Sequence, residues 1–149
     1  GVWDSEVSGV KATAADMIKY VEANMSGAGL DPMLRRAMTA THTGYYKVGD
    51  MMQGLGWEMY DYPTDLDTLL AGNSAQVSFQ ANEVKRLGPP VQPTVDVLIN
   101  KTGSTSGFGA YVAFVPAKSI GIVMLANKNY PNSARVKAAY QILQALQAE

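Results

Sequence analysis

The sequence predicts an α+β fold in which antiparallel strands are flanked by helices. Three observations carry that prediction. Apolar residues recur at helical spacing near both ends of the chain, and three β-rich runs lie between residues 95 and 125. The four residues Pro116-Ala-Lys-Ser119 join two of those runs, a length that suits an antiparallel hairpin. At 149 residues the chain has the length of one domain, read as 1–149 with a helical segment over 1–50 and sheet strands plus a closing helix over 51–149.

The elements follow in order. The first eight residues look irregular. Thr13-Ala-Ala-Asp16 is a relative of the capping box, with Asp16 suited to the first turn. Met17, Ile18, Val21 and Met25 then mark an amphipathic helix over 14–25, ended by Ser26-Gly-Ala-Gly29. Asp31-Pro32 opens a second helix, with Met33, Leu34, Ala37 and Met38 as its expected buried stripe and an end near His42-Thr-Gly44. Gly54 to Tyr60 alternates and is aromatic-rich, so a strand is expected, stopped at Tyr62-Pro63. Asp65 to Ala71 suits a helical turn, Gly72-Asn-Ser74 a turn, and Val77-Ser-Phe79 a short strand. Gly88-Pro-Pro90 and Pro93 argue against regular structure. Val95 to Asn100, Ala110 to Val115 and Ile120 to Leu125 are the three strands, the last apolar enough to be buried on both faces. Asn132 or Ser133 caps a final helix through Gln147, with Val136, Ala139, Tyr140, Leu143 and Leu146 facing the core.

Composition narrows the function. Twelve basic and thirteen acidic residues leave a net charge of −1, without the basic excess of nucleic-acid binders. Ile120 to Ala126, the longest strongly apolar run, is far short of the ~20 residues that span a bilayer. No cysteine is present, so disulfides, thiolate metal sites and a cysteine nucleophile are excluded. A single histidine, His42, excludes a multi-histidine metal site; near a helix end it is expected to cap or to lie at the surface. No metal and no cofactor is therefore expected. Met33, Met38, Met51 and Met52 read as core filler. Glu58 beside Trp57 reads as an outward strand residue ahead of a raised-pKa acid. The opening Gly1-Val-Trp-Asp4 has neither Met nor a leader pattern, and the expectation is a chain cut from something longer.

The chemistry concentrates at Lys101-Thr-Gly-Ser-Thr105, where a strand meets a glycine-rich turn. Lysine and hydroxyl donors there can hold a carboxylate, and a backbone N–H can stabilise an oxyanion. A polar hairpin turn with a solvated lysine is the competing reading.

The segment Lys101-Thr-Gly-Ser-Thr-Ser-Gly-Phe-Gly-Ala-Tyr-Val-Ala-Phe-Val-Pro116 closely resembles the region around the Lys-Thr-Gly motif of class C serine β-lactamases. So does Ile120-Gly-Ile-Val-Met-Leu-Ala-Asn-Lys-Asn-Tyr-Pro-Asn-Ser-Ala-Arg-Val136, and Gln53 to Glu58 and Gly9 to Thr13 resemble further landmarks in the same order. The resemblance implies the C-terminal portion of an enzyme that opens β-lactams, cephalosporins above all, through an acyl-serine, without a metal, in the periplasm. It implies a β-lactamase/penicillin-binding-protein-like fold that is incomplete without an N-terminal half. It places Lys101 and Thr102 around the nucleophile and the substrate carboxylate. It makes the Ser104 N–H one of two oxyanion donors and counts Gly103 among the catalytic residues. Asn132 and Arg135 form a second carboxylate-recognition pair, with Asn129 beside them on the substrate side; a solvated helix residue is the competing reading of Arg135. Asn100 stands where many members carry histidine.

The family's Ser-x-x-Lys and Tyr-x-Asn motifs are missing in usable form. Ser8-Gly-Val-Lys11 fits the first as a string but precedes the helix start, with Gly9 inside it. Tyr130-Pro-Asn132 fits the second but follows Lys-Thr-Gly rather than preceding it. No nucleophile is assigned to this chain. Alone it is expected to be inactive and to require the N-terminal half as a second polypeptide, or to form a swapped dimer or dissolve poorly. The other readings are a D-alanyl-D-alanine peptidase or esterase relative, or a non-catalytic fragment.

Overall fold

The computed structural model describes residues 9–147. Among the described residues five α-helices and seven strands follow in the order α1 (Ala14–Ser26), α2 (Pro32–Ala40), β1 (Gly44–Val48), β2 (Met51–Gln53), β3 (Glu58–Asp61), α3 (Leu66–Gly72), α4 (Ala75–Phe79), β4 (Lys85–Val91), β5 (Val97–Ser104), β6 (Gly109–Val115), β7 (Ile120–Ala126) and α5 (Asn132–Gln147). The irregular reading of residues 1–8, and Ser8 with it, lies outside the described residues. The strands form one antiparallel sheet, ordered β4-β1-β2-β3-β5-β6-β7.

Strand alternation sorts the core into two layers. Met51, Tyr60, Leu98, Tyr111 and Val115 point to one face, under α3 and α5, where Leu69, Val136, Ala139 and Leu143 meet them. Met52, Met59, Ile99, Val112 and Phe114 point to the other, where Val21 of α1 and Trp57 close over them. Gly72 lets α3 lie directly on Tyr60: a Cβ there would fall 1.9 Å from the Tyr60 Oη.

Helix α1 begins as its capping box requires. Thr13 Oγ1 accepts from the Asp16 N–H at 3.2 Å; Asp16 Oδ2 accepts from the Thr13 hydroxyl at 2.7 Å and from the Thr13 N–H at 3.0 Å, and these two donors hold the Asp16 carboxyl below its ordinary range. Asp31 caps α2, accepting from the Met33 and Leu34 amides. The α2 stripe is a correction, however. Met33 and Leu34 are exposed, Ala37 is exposed and Met38 half-buried.

The helical reading of 1–50 fails at β1. Its hairpin with β2 turns at Gly49-Asp50, with Val48 opposite Met51 and Gly49 at φ 57°, a positive value that glycine adopts without steric cost. The expected strand at 54–60 is a turn, closed by Gly54 N–H donating to Trp57 O, followed by β3. Val77–Phe79 is helical rather than extended, because Ser74 caps it by accepting from the Val77 N–H. Gly88-Pro-Pro90 lies in a strand after all, with a cis Gly88–Pro89 bond. Proline is admissible there because β4 is an edge strand. β7 is half-buried rather than buried on both faces, being the opposite edge. Of the α5 stripe, Leu146 is exposed and Tyr140 half-buried.

His42 is neither a cap nor a surface group. It is 8% exposed, packs against Trp57 and Phe114, and its Nε2 donates to Asn24 Oδ1 at 3.1 Å. Burial lowers its pKa. The unfolded chain therefore takes up a proton more readily than the folded one. The stability due to neutral His42 is complete above the ordinary value of about 6.5 and is lost as pH falls below it. No other histidine is present in the sequence to titrate between about pH 7.5 and 5.5. Urea midpoints are expected to fall across that window, and His42→Gln is expected to flatten the dependence. A dependence that survives the substitution assigns it elsewhere.

Candidate functional site

β3 begins at Glu58, opposite Asn100, and its pairing with β5 goes no further, whereas β6 follows β5 as far as Ser104. From Lys101 to Ser104, β5 thus has a strand neighbour on one side only, among the described residues. That open edge borders a cleft of ≈ 610 Å³ lined by Glu58, Phe79, Lys101, Thr102, Ser104 and Asn132. A second, of ≈ 480 Å³, reaches Asn129, Asn132, Ser104 and Arg135. On its other flank the Lys101–Gly103 segment borders an apolar cleft of ≈ 330 Å³, with Tyr20, Trp57 and Val112 in its wall. β5 therefore runs four residues beyond the strand expected from sequence, which puts the Lys-Thr-Gly segment on a strand and not in a hairpin loop.

Lys101 Nζ donates to Glu58 Oε1 at 2.6 Å; the lysine side chain is 46% exposed and the glutamate side chain 13%. Glu58 is the residue that sequence reasoning missed. Its role depends on β3–β5 register, which no local pattern encodes. Asn100, fully buried, holds the base of this pair. Its Nδ2 donates to Glu58 O at 3.0 Å and its Oδ1 accepts from Asn73 Nδ2 at 3.0 Å. Asn73 caps the end of α3 and its own Oδ1 is buried without a partner. The Tyr60 hydroxyl beside them is pushed up in pKa, first by burial and then by Glu58.

Arg135 is 4% exposed, so the solvated reading is overturned. Its Nη1 donates to Gly103 O and Ala110 O, both at 2.6 Å; Nη2 donates to Ser104 Oγ at 2.7 Å and to Asn132 Oδ1. No carboxylate is among these partners, and burial lowers the Arg135 pKa. Asn132 therefore turns its amide oxygen to Arg135 rather than capping α5 through a backbone amide. Asn129 is exposed at the rim, and Tyr130 lies under Lys128, whose Nζ is 5.3 Å from the ring centroid.

The structure thus brings Lys101, Thr102, Gly103, Ser104, Asn129, Asn132 and Arg135 to one region. The arrangement is rich in donors suited to an anion, and Glu58 is its one carboxylate. Ser104 Oγ accepts from a guanidinium, which cannot take its proton, so this serine is not set up as a nucleophile. Among the described residues no group of three or more His, Cys, Asp or Glu is placed to hold a metal.

A protein-family model described as Beta-lactamase matches residues 1–147. A β-lactamase of Pseudomonas fluorescens is 56% identical over 146 residues, covering 98% of this chain and 41% of the relative. The crystal structure of a β-lactamase/D-alanine carboxypeptidase from Pseudomonas syringae superposes with a TM-score of 0.92 at 49% identity, over 97% of this chain and 40% of that one. A solved class C β-lactamase gives a TM-score of 0.82 at 50% identity, over 91% and 36%. The chain spans about two fifths of the length of such relatives.

Proposed function

The chain belongs to the β-lactamase family, and from that we propose that it forms one wall of the active site of a class C serine β-lactamase in the periplasm. The observation that carries this reading is the open edge of β5, where Lys101 and Thr102 face a cleft with Asn132 and with Ser104, tied to Arg135. In the proposed reaction a serine of a complementing polypeptide attacks the lactam carbonyl. The Ser104 N–H takes one share of the charge that develops on the carbonyl oxygen. The serine proton passes through a base of that polypeptide to the lactam nitrogen as the C–N bond breaks, leaving an acyl-serine that water then hydrolyses to the acid and the free serine. Lys101 and Thr102 hold the substrate carboxylate, Asn132 and Asn129 border its far side, and Glu58 orients Lys101.

Exposed Phe79 and Val84 line this cleft. Large apolar groups at one rim favour a covering partner. The complementing polypeptide, carrying Ser-x-x-Lys and Tyr-x-Asn, is the proposed one; a swapped dimer is the other arrangement.

D-alanyl-D-alanine peptidase activity is the second reading, since the Pseudomonas syringae structure is named for both activities. Turnover of a cephalosporin and of a D-alanyl-D-alanine peptide by the assembled protein separates the two. The cephalosporin is expected to be opened with the larger kcat/KM. Peptide cleavage without β-lactam opening overturns the proposal.

A further inference from the structure

We infer that Arg135 is a positioning residue, which sets the β5–β6 tip and Asn132 relative to each other, and not a direct ligand of the substrate carboxylate. The inference rests on the β-lactamase reading and changes how one of its site residues acts. A guanidinium has five N–H donors in a fixed plane. Four of them, on Nη1 and Nη2, are committed to Gly103 O, Ala110 O, Ser104 Oγ and Asn132 Oδ1. The fifth, on Nε, is buried with no partner and out of reach of an incoming ligand. An anion entering the cleft finds no free donor on this side chain.

The four acceptors are the point of the arrangement. Gly103 and Ala110 face each other across β5 and β6, so Nη1 ties both strands together at their open end. Nη2 joins Ser104 to Asn132, at the first residue of α5. One rigid fork therefore fixes three elements at the place where the Ser104 N–H has to meet a developing oxyanion. The pocket is cut to the fork. A Cβ on Gly109 would stand 3.2 Å from Arg135 Cζ and Nη1, and 3.1 Å from Lys128 O. Lysine keeps the charge but has a single nitrogen and no planar fork.

The test uses the assembly of this chain with the polypeptide that carries Ser-x-x-Lys. It compares a cephalosporin with its methyl ester, which lacks the carboxylate. Arg135→Lys is expected to lower kcat about 10–100-fold on both substrates relative to the unsubstituted assembly, with KM within about threefold, as a displaced oxyanion donor requires. Gly109→Ala, which keeps the arginine and presses on its guanidinium, is expected to lower kcat on both by a smaller factor. A loss confined to the free carboxylate and expressed in KM overturns the inference, as does unchanged kcat in both variants. If the unsubstituted assembly opens neither substrate, the β-lactamase reading fails by itself. The positioning role is then decided in the 149-residue chain by amide hydrogen exchange. Arg135→Lys is expected to speed exchange over residues 103–110 about tenfold or more, with α1 unchanged. Equal exchange overturns it.

Discussion

Incubated alone with a cephalosporin, the 149-residue chain is expected to hydrolyse it no faster than buffer does. Mixed with a polypeptide carrying Ser-x-x-Lys and Tyr-x-Asn, it is expected to gain at least about 10⁴-fold. That is a conservative reading of what loss of a serine nucleophile and its base removes from hydrolases. The argument is chemical. Acylation needs an oxygen nucleophile whose proton has somewhere to go. Ser104 lines the cleft, and its oxygen accepts from Arg135, a cation without a lone pair to offer. On the proposed reading this chain supplies donors for the charge that develops, and the complementing polypeptide supplies the attacking species. Intact mass spectrometry under denaturing conditions checks the division of labour: the acyl adduct is expected on the complementing polypeptide and never on this chain. Enzyme-like turnover by this chain alone overturns it.

The second large effect is at Lys101. In the assembled protein Lys101→Met is expected to lower kcat/KM by about 10²–10³-fold, the range for removing one charge-stabilising donor from a preorganised site. The substitution also strips Glu58 of its partner at 2.6 Å. Part of the loss could then come from an unpaired, largely buried carboxylate. The double variant Glu58→Gln/Lys101→Met separates the two: its loss is expected to stay within about threefold of that of Lys101→Met if, as proposed, the lysine and not the ion pair holds the substrate. Recovery of most of the activity in the double variant assigns the loss to the stranded carboxylate instead.

The parts of this molecule that were legible from sequence are those governed by local rules. The caps of α1 and α2 stand at Thr13 and Asp31 because their hydroxyl and carboxylate groups answer amides two or three residues on. The Lys-Thr-Gly segment was recognisable because residues 101–116 resemble, residue by residue, the corresponding region of class C β-lactamases. The illegible parts depend on what lies across the sheet. Met33 and Leu34 have helical spacing but no core beneath them. Val77 is β-branched, yet Ser74 commits its amide to a helix start. Pro89 and Pro90 forbid an interior strand and not an edge one, and only topology says which position β4 holds. The site shows the same division. Lys101 was visible as a residue type; its partner Glu58, and the four acceptors around Arg135, come from β3, β5, β6 and α5, joined by register and crossing.

The two borders of the sheet are chemically unlike. At β4, two consecutive prolines remove two N–H donors from the outermost strand. At β7, Ile120–Ala126 runs seven residues without a proline, half-buried, and no described strand lies outside it. Backbone pairing of this chain with a second strand is therefore expected at the proline-free border β7 and not at β4.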